Sequence, residues 1–197
     1  MFTVNSCAAG CGRPAITGSV LCAIHSADSG ADAQRIIDHI AVQKSVRDIS
    51  AQGLSFEGVD FSHRYYYGCN FSGASFSMCL FTGASMLLNF FDFATFTSCD
   101  FSEGDLQFLS MAGANIRNCT FEGSELVNIN FGGTVINEST FNKTNLHNSR
   151  FIDADITRSD FIDCNLKHTY FIKARREAVS FKYSNTAEAI FETEDHQ

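Results

Sequence analysis

"CNFSGASFSMCLFTGASM", residues 69–86, sets Phe71, Phe76, Phe81 and Met86 five residues apart. A helix repeats its apolar face about every 3.6 residues and a half-buried strand about every 2. Neither period accounts for a large apolar side chain at every fifth position. Counting in fives from Phe56 to Phe171 meets 24 positions, and all 24 are Phe, Leu, Ile, Met or Tyr. The residue two before each of these centres is Ala, Cys, Gly, Ser, Thr or Val in 19 units, and the one directly before is Asp or Asn in 10.

A second period lies on the first. Every fourth centre gives an unbroken Phe column: Phe61, Phe81, Phe101, Phe121, Phe141, Phe161 and Phe181. Another column runs Tyr66, Met86, Leu106, Leu126, Leu146, Leu166. Like residues recurring at twenty mean that the chain returns to the same face after four pentapeptides, which describes a square solenoid. Each centre points into the axis, and only a small residue fits beside it. Coils stacked at strand spacing, about 4.8 Å, bury one another's interiors, and no coil is stable alone.

These repeats resemble the pentapeptide-repeat proteins, whose consensus is Ala-Asp/Asn-Leu-X-X. "GANI" (113–116), "GCNF" (68–71), "DADI" (153–156) and "DCNL" (163–166) carry the likeness, which covers about residues 54–181. The resemblance implies a mainly β fold, a right-handed quadrilateral β-helix of about six coils over residues 51–181. It says little about function.

The first 25 residues follow another pattern. "CAAGCGRPAITGSVLCAIH" places Cys7, Cys11, Cys22 and His25 as Cys-x3-Cys, ten residues, then Cys-x2-His. Two close ligand pairs on tight turns, separated by a short loop, suit a tetrahedral Zn²⁺. The stretch resembles the short zinc-binding motifs of zinc-knuckle and treble-clef-like modules. Structural Zn²⁺ is the expected cofactor, because four protein ligands leave no open position for substrate. So small a module, residues 1–27, has too few large apolar residues to fold without its metal.

The linking stretch, 28–50, predicts a helix capped by Asp28 or Ser29. Ile36, Ile37, Ile40 and Ala41 recur at helical spacing, and Val46 and Ile49 follow less regularly. Such a helix would lid the solenoid's first coil, an otherwise open apolar end with unpaired strand edges. In the C-terminal tail, 182–197, "SNTAEAIFETED" predicts a short capping helix opened by Ser184 or Asn185.

The chain has 197 residues and eight Cys, and its formal net charge is -8. The mild acidity argues against direct binding to nucleic acid or to an anionic membrane. No apolar run approaches the roughly 18 residues needed to cross a bilayer. "MFTVNSCAAGC" lacks a basic segment followed by an apolar stretch, so a cytoplasmic, reducing location is expected. Cys69, Cys79, Cys99, Cys119 and Cys164 fall in the small inward slot and read as reduced, buried thiols.

No nucleotide loop, nucleophile elbow or HExxH motif occurs, and no enzyme activity is expected. Outward positions in one region are unusually apolar: Leu87, Leu88, Phe90, Phe93, Phe108 and Val127, with Leu80 nearby. Contiguous exposed apolar area marks an interface, here for a protein partner or a homodimer, unless the chain's own helix or tail covers it. A non-enzymatic interaction module is therefore expected. Two alternatives stand beside it. Some proteins of the resembled family mimic DNA to bind gyrase, and residues 92–138 hold seven acidic residues against one basic, Arg117. The chain also reads as the soluble recognition part of a larger effector or membrane-associated protein.

Overall fold

Large side chains that must all point inward at every fifth residue require the backbone to turn once per pentapeptide. The structure, a computed structural model describing residues 5–192, turns in this way. Every fifth residue from Asp48 to Tyr183 has a positive φ, and most of these residues are not glycine. Each such residue leads from one face of a square coil to the next.

The first face is a parallel sheet of three-residue strands at Ser45–Arg47, Tyr65–Tyr67, Ser85–Leu87, Asp105–Gln107 and Glu125–Val127. The third face is a longer parallel sheet that begins at Ser55–Glu57 and ends at Arg175–Glu177. The second and fourth faces are ladders of single bridges, Ser50–Asn70–Phe90–Ser110 and onward to Ile190, and Asp60–Leu80–Asp100 and onward to Ser180. Neighbours in every ladder are twenty residues apart, as Tyr66 beside Met86 and Phe76 beside Phe96. The result is a parallel β-solenoid of about seven turns. The expected count was about six. The additional turn comes from coils at both ends, one opened by Val46 and one closed by Phe181 and Phe191.

All 24 centres from Phe56 to Phe171 are at most 2% exposed. The Phe column stacks nearly face to face, with centroids 4.5 Å apart for Phe81–Phe101, 4.7 Å for Phe101–Phe121 and 4.6 Å for Phe121–Phe141. That separation is the coil rise, so ring stacking and backbone pairing share one repeat length. Rings of adjacent columns meet edge to face, as Phe121 with Phe131 at 89°. Both arrangements are favoured by the ring quadrupole.

The small slots beside the rings are polar in the lower coils, and each polar atom is used. The Ser124, Ser149 and Thr169 hydroxyls donate to the carbonyls of Phe101, Leu126 and Leu146, at 2.6, 2.6 and 2.9 Å. Ser124 and Ser149 also accept backbone N–H groups of Gly104 and Ile129. Asn89 fills one slot by accepting from Cys69 N–H and donating to Tyr66 O. Each such bond joins one coil to the coil before and contributes about 1 kcal/mol.

The helix runs Ser29–Ala41, and Asp28 caps it through Oδ1, which accepts from Ala31 N–H at 2.9 Å. Ala33, Ile36 and Ile40 are buried in one cluster with Val46, Ile49 and Phe56, and the helix packs on Ser55–Glu57 of the first coil. Val46 and Ile49, which fit the helical spacing less well, belong to that coil rather than to the helix. At the other end, among the described residues, only a single 3₁₀ turn forms, Thr186–Glu188, and no side chain caps it. Ser184 and Asn185 are occupied otherwise. Ser184 Oγ accepts from Cys164 N–H and donates to Phe161 O, while Asn185 Oδ1 accepts from Leu166 N–H. Ser184 continues the slot pattern and Asn185 the position directly before a centre, which is why the expected capping helix does not start there. Arg176, where an apolar centre belongs, lies with its guanidinium 4.6 Å from the Phe191 ring centroid. The remainder of the predicted tail, 193–197, lies outside the described residues.

One turning position shows how tightly the coils approach. Gly113 has φ +65°, and a Cβ there would lie 2.6 Å from the Phe93 ring of the coil before. Gly113→Ala is expected to cost about 1–2 kcal/mol, from the left-handed backbone and from the displaced ring. In a Phe93→Ala background the cost should fall to the backbone part alone. A double-mutant cycle in urea reads the difference.

Candidate metal centre and interaction surface

The N-terminal module is built by two short turns brought together. Ser6 pairs antiparallel with Pro14, and Cys7 N–H donates to Arg13 O at 2.8 Å. Gly10 and Gly12, both at φ +75°, let the backbone double back between the first two cysteines. His25 N–H and Ser26 N–H both donate to Cys22 O, closing the turn that carries the second ligand pair.

The four sequence-predicted ligands meet. Cys7 Sγ, Cys11 Sγ, Cys22 Sγ and a ring nitrogen of His25 all lie within 4.8 Å of one another. Cys11 Sγ and Cys22 Sγ are 3.8 Å apart, and His25 Nδ1 is 3.4 Å from Cys7 Sγ and 3.6 Å from Cys22 Sγ. Cys22 N–H points at Cys7 Sγ, 3.4 Å away. Burial acts against ionising Cys22, but the His25 and Ile24 backbone groups and the neighbouring thiols prevail and bring its pKa down to about 6. A group of this composition and spacing can hold one metal ion.

The module is clipped to the solenoid. Thr17 N–H donates to Ser50 O at 2.9 Å, and Ser50 N–H donates to Thr17 Oγ1 at 2.8 Å. Ile16 is buried in the same cluster as Ile36, Ile40 and Val46. Arg35 of the helix donates to Gly18 O at 2.9 Å and pairs with Asp32. The ligand loops and the helix therefore form one lid.

The five solenoid cysteines are free and buried. Burial pushes the Cys69 thiol up to about 12, and the hydrogen bond with Cys119 leads in raising Cys99 to about 11. The hydrogen bond with Cys99 instead lowers Cys119, and all five thiols pack in the lumen.

The apolar outward residues separate into two places. Leu87 and Leu88 end one strand of the first face, Phe108 stands one coil below Leu88, and Phe90 follows on the second face. These four share one edge of the rod and are exposed. Val127 lies below Gln107 in the same ladder but is half-buried. Phe93 stands at the next edge, 74% exposed, leaning over Gly113. Leu80 belongs to the fourth face. Neither the helix nor the described part of the tail covers the shared edge. Tyr67 was not anticipated: it is exposed and pairs in register with Leu87, extending the edge by one coil. The twenty-residue period is the signal that finds it.

No helix among the described residues is long and apolar enough to cross a membrane. A family model described as pentapeptide repeats, in eight copies, matches residues 114–151. No curated protein matches. Several solved structures do. QnrB1, a plasmid-mediated fluoroquinolone resistance protein, is 18% identical over 77% of this chain and 93% of its own, with a TM-score of 0.31. A pentapeptide repeat protein of the Arabidopsis thaliana thylakoid lumen is 26% identical over 52% and 67%, with a TM-score of 0.35. HetL of Nostoc sp., involved in heterocyst differentiation regulation, is 10% identical over 80% and 95%, with a TM-score of 0.24. At these scores no functional detail carries across.

Proposed function

We propose that the chain is a pentapeptide-repeat protein that acts as a non-enzymatic interaction module. It is a rigid solenoid that binds a protein partner, or a second copy of itself, through the edge carrying Leu87, Leu88, Phe90 and Phe108. One observation supports this most. Leu88 and Phe108 are large, exposed apolar residues held at φ 57° and 53°, in a column where Gly68 meets the same backbone demand at φ 64°. A bulky side chain in the left-handed region costs about 1–2 kcal/mol, and a solvent-exposed ring gives the fold nothing in return. The other turns of that column carry Asp48, Gly68, Asn128, Asn148 and His168, so two adjacent exposed apolar side chains there point to use at a surface.

Replacing Leu88 and Phe108 together by Lys should leave the far-UV spectrum unchanged and the stability within about 1 kcal/mol. The same variant should lose self-association in sedimentation, or partner capture. If both are retained, the edge is not the binding surface.

The metal centre is read as structural Zn²⁺. A tetrahedral ion with bonds of about 2.3 Å to sulfur and about 2.0–2.1 Å to nitrogen sets its sulfurs about 3.8 Å apart and sulfur from nitrogen about 3.6 Å. Three of the six ligand distances, Cys11–Cys22, Cys7–His25 and Cys22–His25, lie within 0.2 Å of these, and all four atoms lie within 4.8 Å of one another. Bound there, the ion would tie the two turns together. The DNA-mimic reading has less support, since Glu122 and Glu138 of the acidic stretch are paired with Lys143 and Arg158.

A further inference from the structure

The edge carrying Leu88 and Phe108 has a charged neighbour, and the two together specify an occupant. We propose that the first face docks an amphipathic helix of a partner protein, laid along the rod, with basic residues flanking its apolar stripe. The inference rests on the edge reading above and adds the chemistry of what binds there.

Spacing supports a helix. Tyr67, Leu87 with Leu88, and Phe108 stand on three successive coils, and half-buried Val127 on the fourth. Successive coils are about 4.8 Å apart, and a helix advances about 5.4 Å per turn. A helix parallel to the rod therefore offers one apolar side chain per coil across three steps, at its i, i+4, i+7 and i+11 positions. An extended strand has no such match, since both sheets keep their unpaired edges at the ends of the rod.

Charge fixes the flank. On the same face as Leu87 and Gln107, the opposite border carries Asp105 and Glu125, exposed and one coil apart. Glu103, over Gly123, and Glu122 sit just around that border. Asp105 accepts a hydrogen bond from Gln107 and Glu125 one from Asn145, but among the described residues neither forms an ion pair. The only basic residue between 92 and 138, Arg117, lies in the other sheet, on the third face. A helix with its stripe on Leu88 and Phe108 would place a Lys or Arg flank toward Asp105 and Glu125. A nucleic acid would meet repulsion there.

The test uses two synthetic helical peptides of about 16 residues, long enough for four turns. Both carry Leu at i, i+4, i+7 and i+11, and they differ in having Lys or Glu on the flanks. Fluorescence anisotropy with the full chain should show the Lys peptide bound at least about tenfold tighter than the Glu peptide. Asp105→Lys with Glu125→Lys should erase that preference, and Leu88→Lys with Phe108→Lys should weaken the Lys peptide by at least about tenfold. Equal binding of the two peptides, or a preference that survives the Asp105/Glu125 change, overturns the inference. If Leu88→Lys/Phe108→Lys still alters self-association in that case, the edge reading stands without it. Lys-peptide binding that survives the loss of Leu88 and Phe108 is general charge attraction and overturns the inference too.

Discussion

Phe121→Ala is expected to lower the stability of the solenoid by about 3–5 kcal/mol, the range for removing a buried aromatic ring from a packed core. Phe121 is fully buried, stacks on Phe101 and Phe141, and meets Phe131 edge to face. No neighbour can move in to fill the space, because the rings above and below are fixed at the coil rise by backbone pairing. The same change at Phe181, which is half-buried and 5.4 Å from Phe161, should cost only about 1–2 kcal/mol. Urea unfolding followed by far-UV circular dichroism makes the comparison. Equal costs at the two positions would show that the column does not carry the stability.

Loss of the metal should act at the end of the rod and not through its length. Protein purified without chelator is expected to hold about one Zn per chain by elemental analysis. Cys22→Ser, or a strong chelator, should remove it and unfold the module, since binding energies of about 10–16 kcal/mol are typical where metal and folding are coupled. The clip between Thr17 and Ser50 would then open and leave Ile16 without its place over Ile36, Ile40 and Val46. Amide exchange should quicken at Thr17 and Ser50 while Phe101–Phe161 stays protected. The exposed end should make the protein associate, because unpaired strand edges recruit other chains. A metal-free protein that stays monomeric with unchanged exchange at Ser50 would show that the helix lids the coil without help.

The repeat was legible because its constraint is severe. Each pentapeptide turns one large residue inward at a fixed phase, so Phe56 through Phe171 declare both their phase and their burial. The ligand set was legible for a similar reason, since Cys7, Cys11, Cys22 and His25 have the pair spacing a single ion needs. What escaped sequence reasoning lies where one residue type serves two purposes. Val46 suits a helix face or a coil centre, and only the pairing of its strand with Tyr65–Tyr67 decides. Ser184 and Asn185 suit a helix cap or the two positions before a coil centre, and the coil above claims them. Phe93 looked continuous with Leu88 and Phe90, but the turn at Phe93 itself carries it to another edge.

The constant offset of twenty residues between neighbours has a consequence for how such a chain can change length. Gain or loss of one whole turn alters the rod by about 4.8 Å and leaves every remaining partner matched to its own kind. Loss of a single residue would instead rotate all later phenylalanines out of the lumen. Length changes that keep every large residue inward come in multiples of five residues, and those that also keep like beside like come in units of sixty nucleotides.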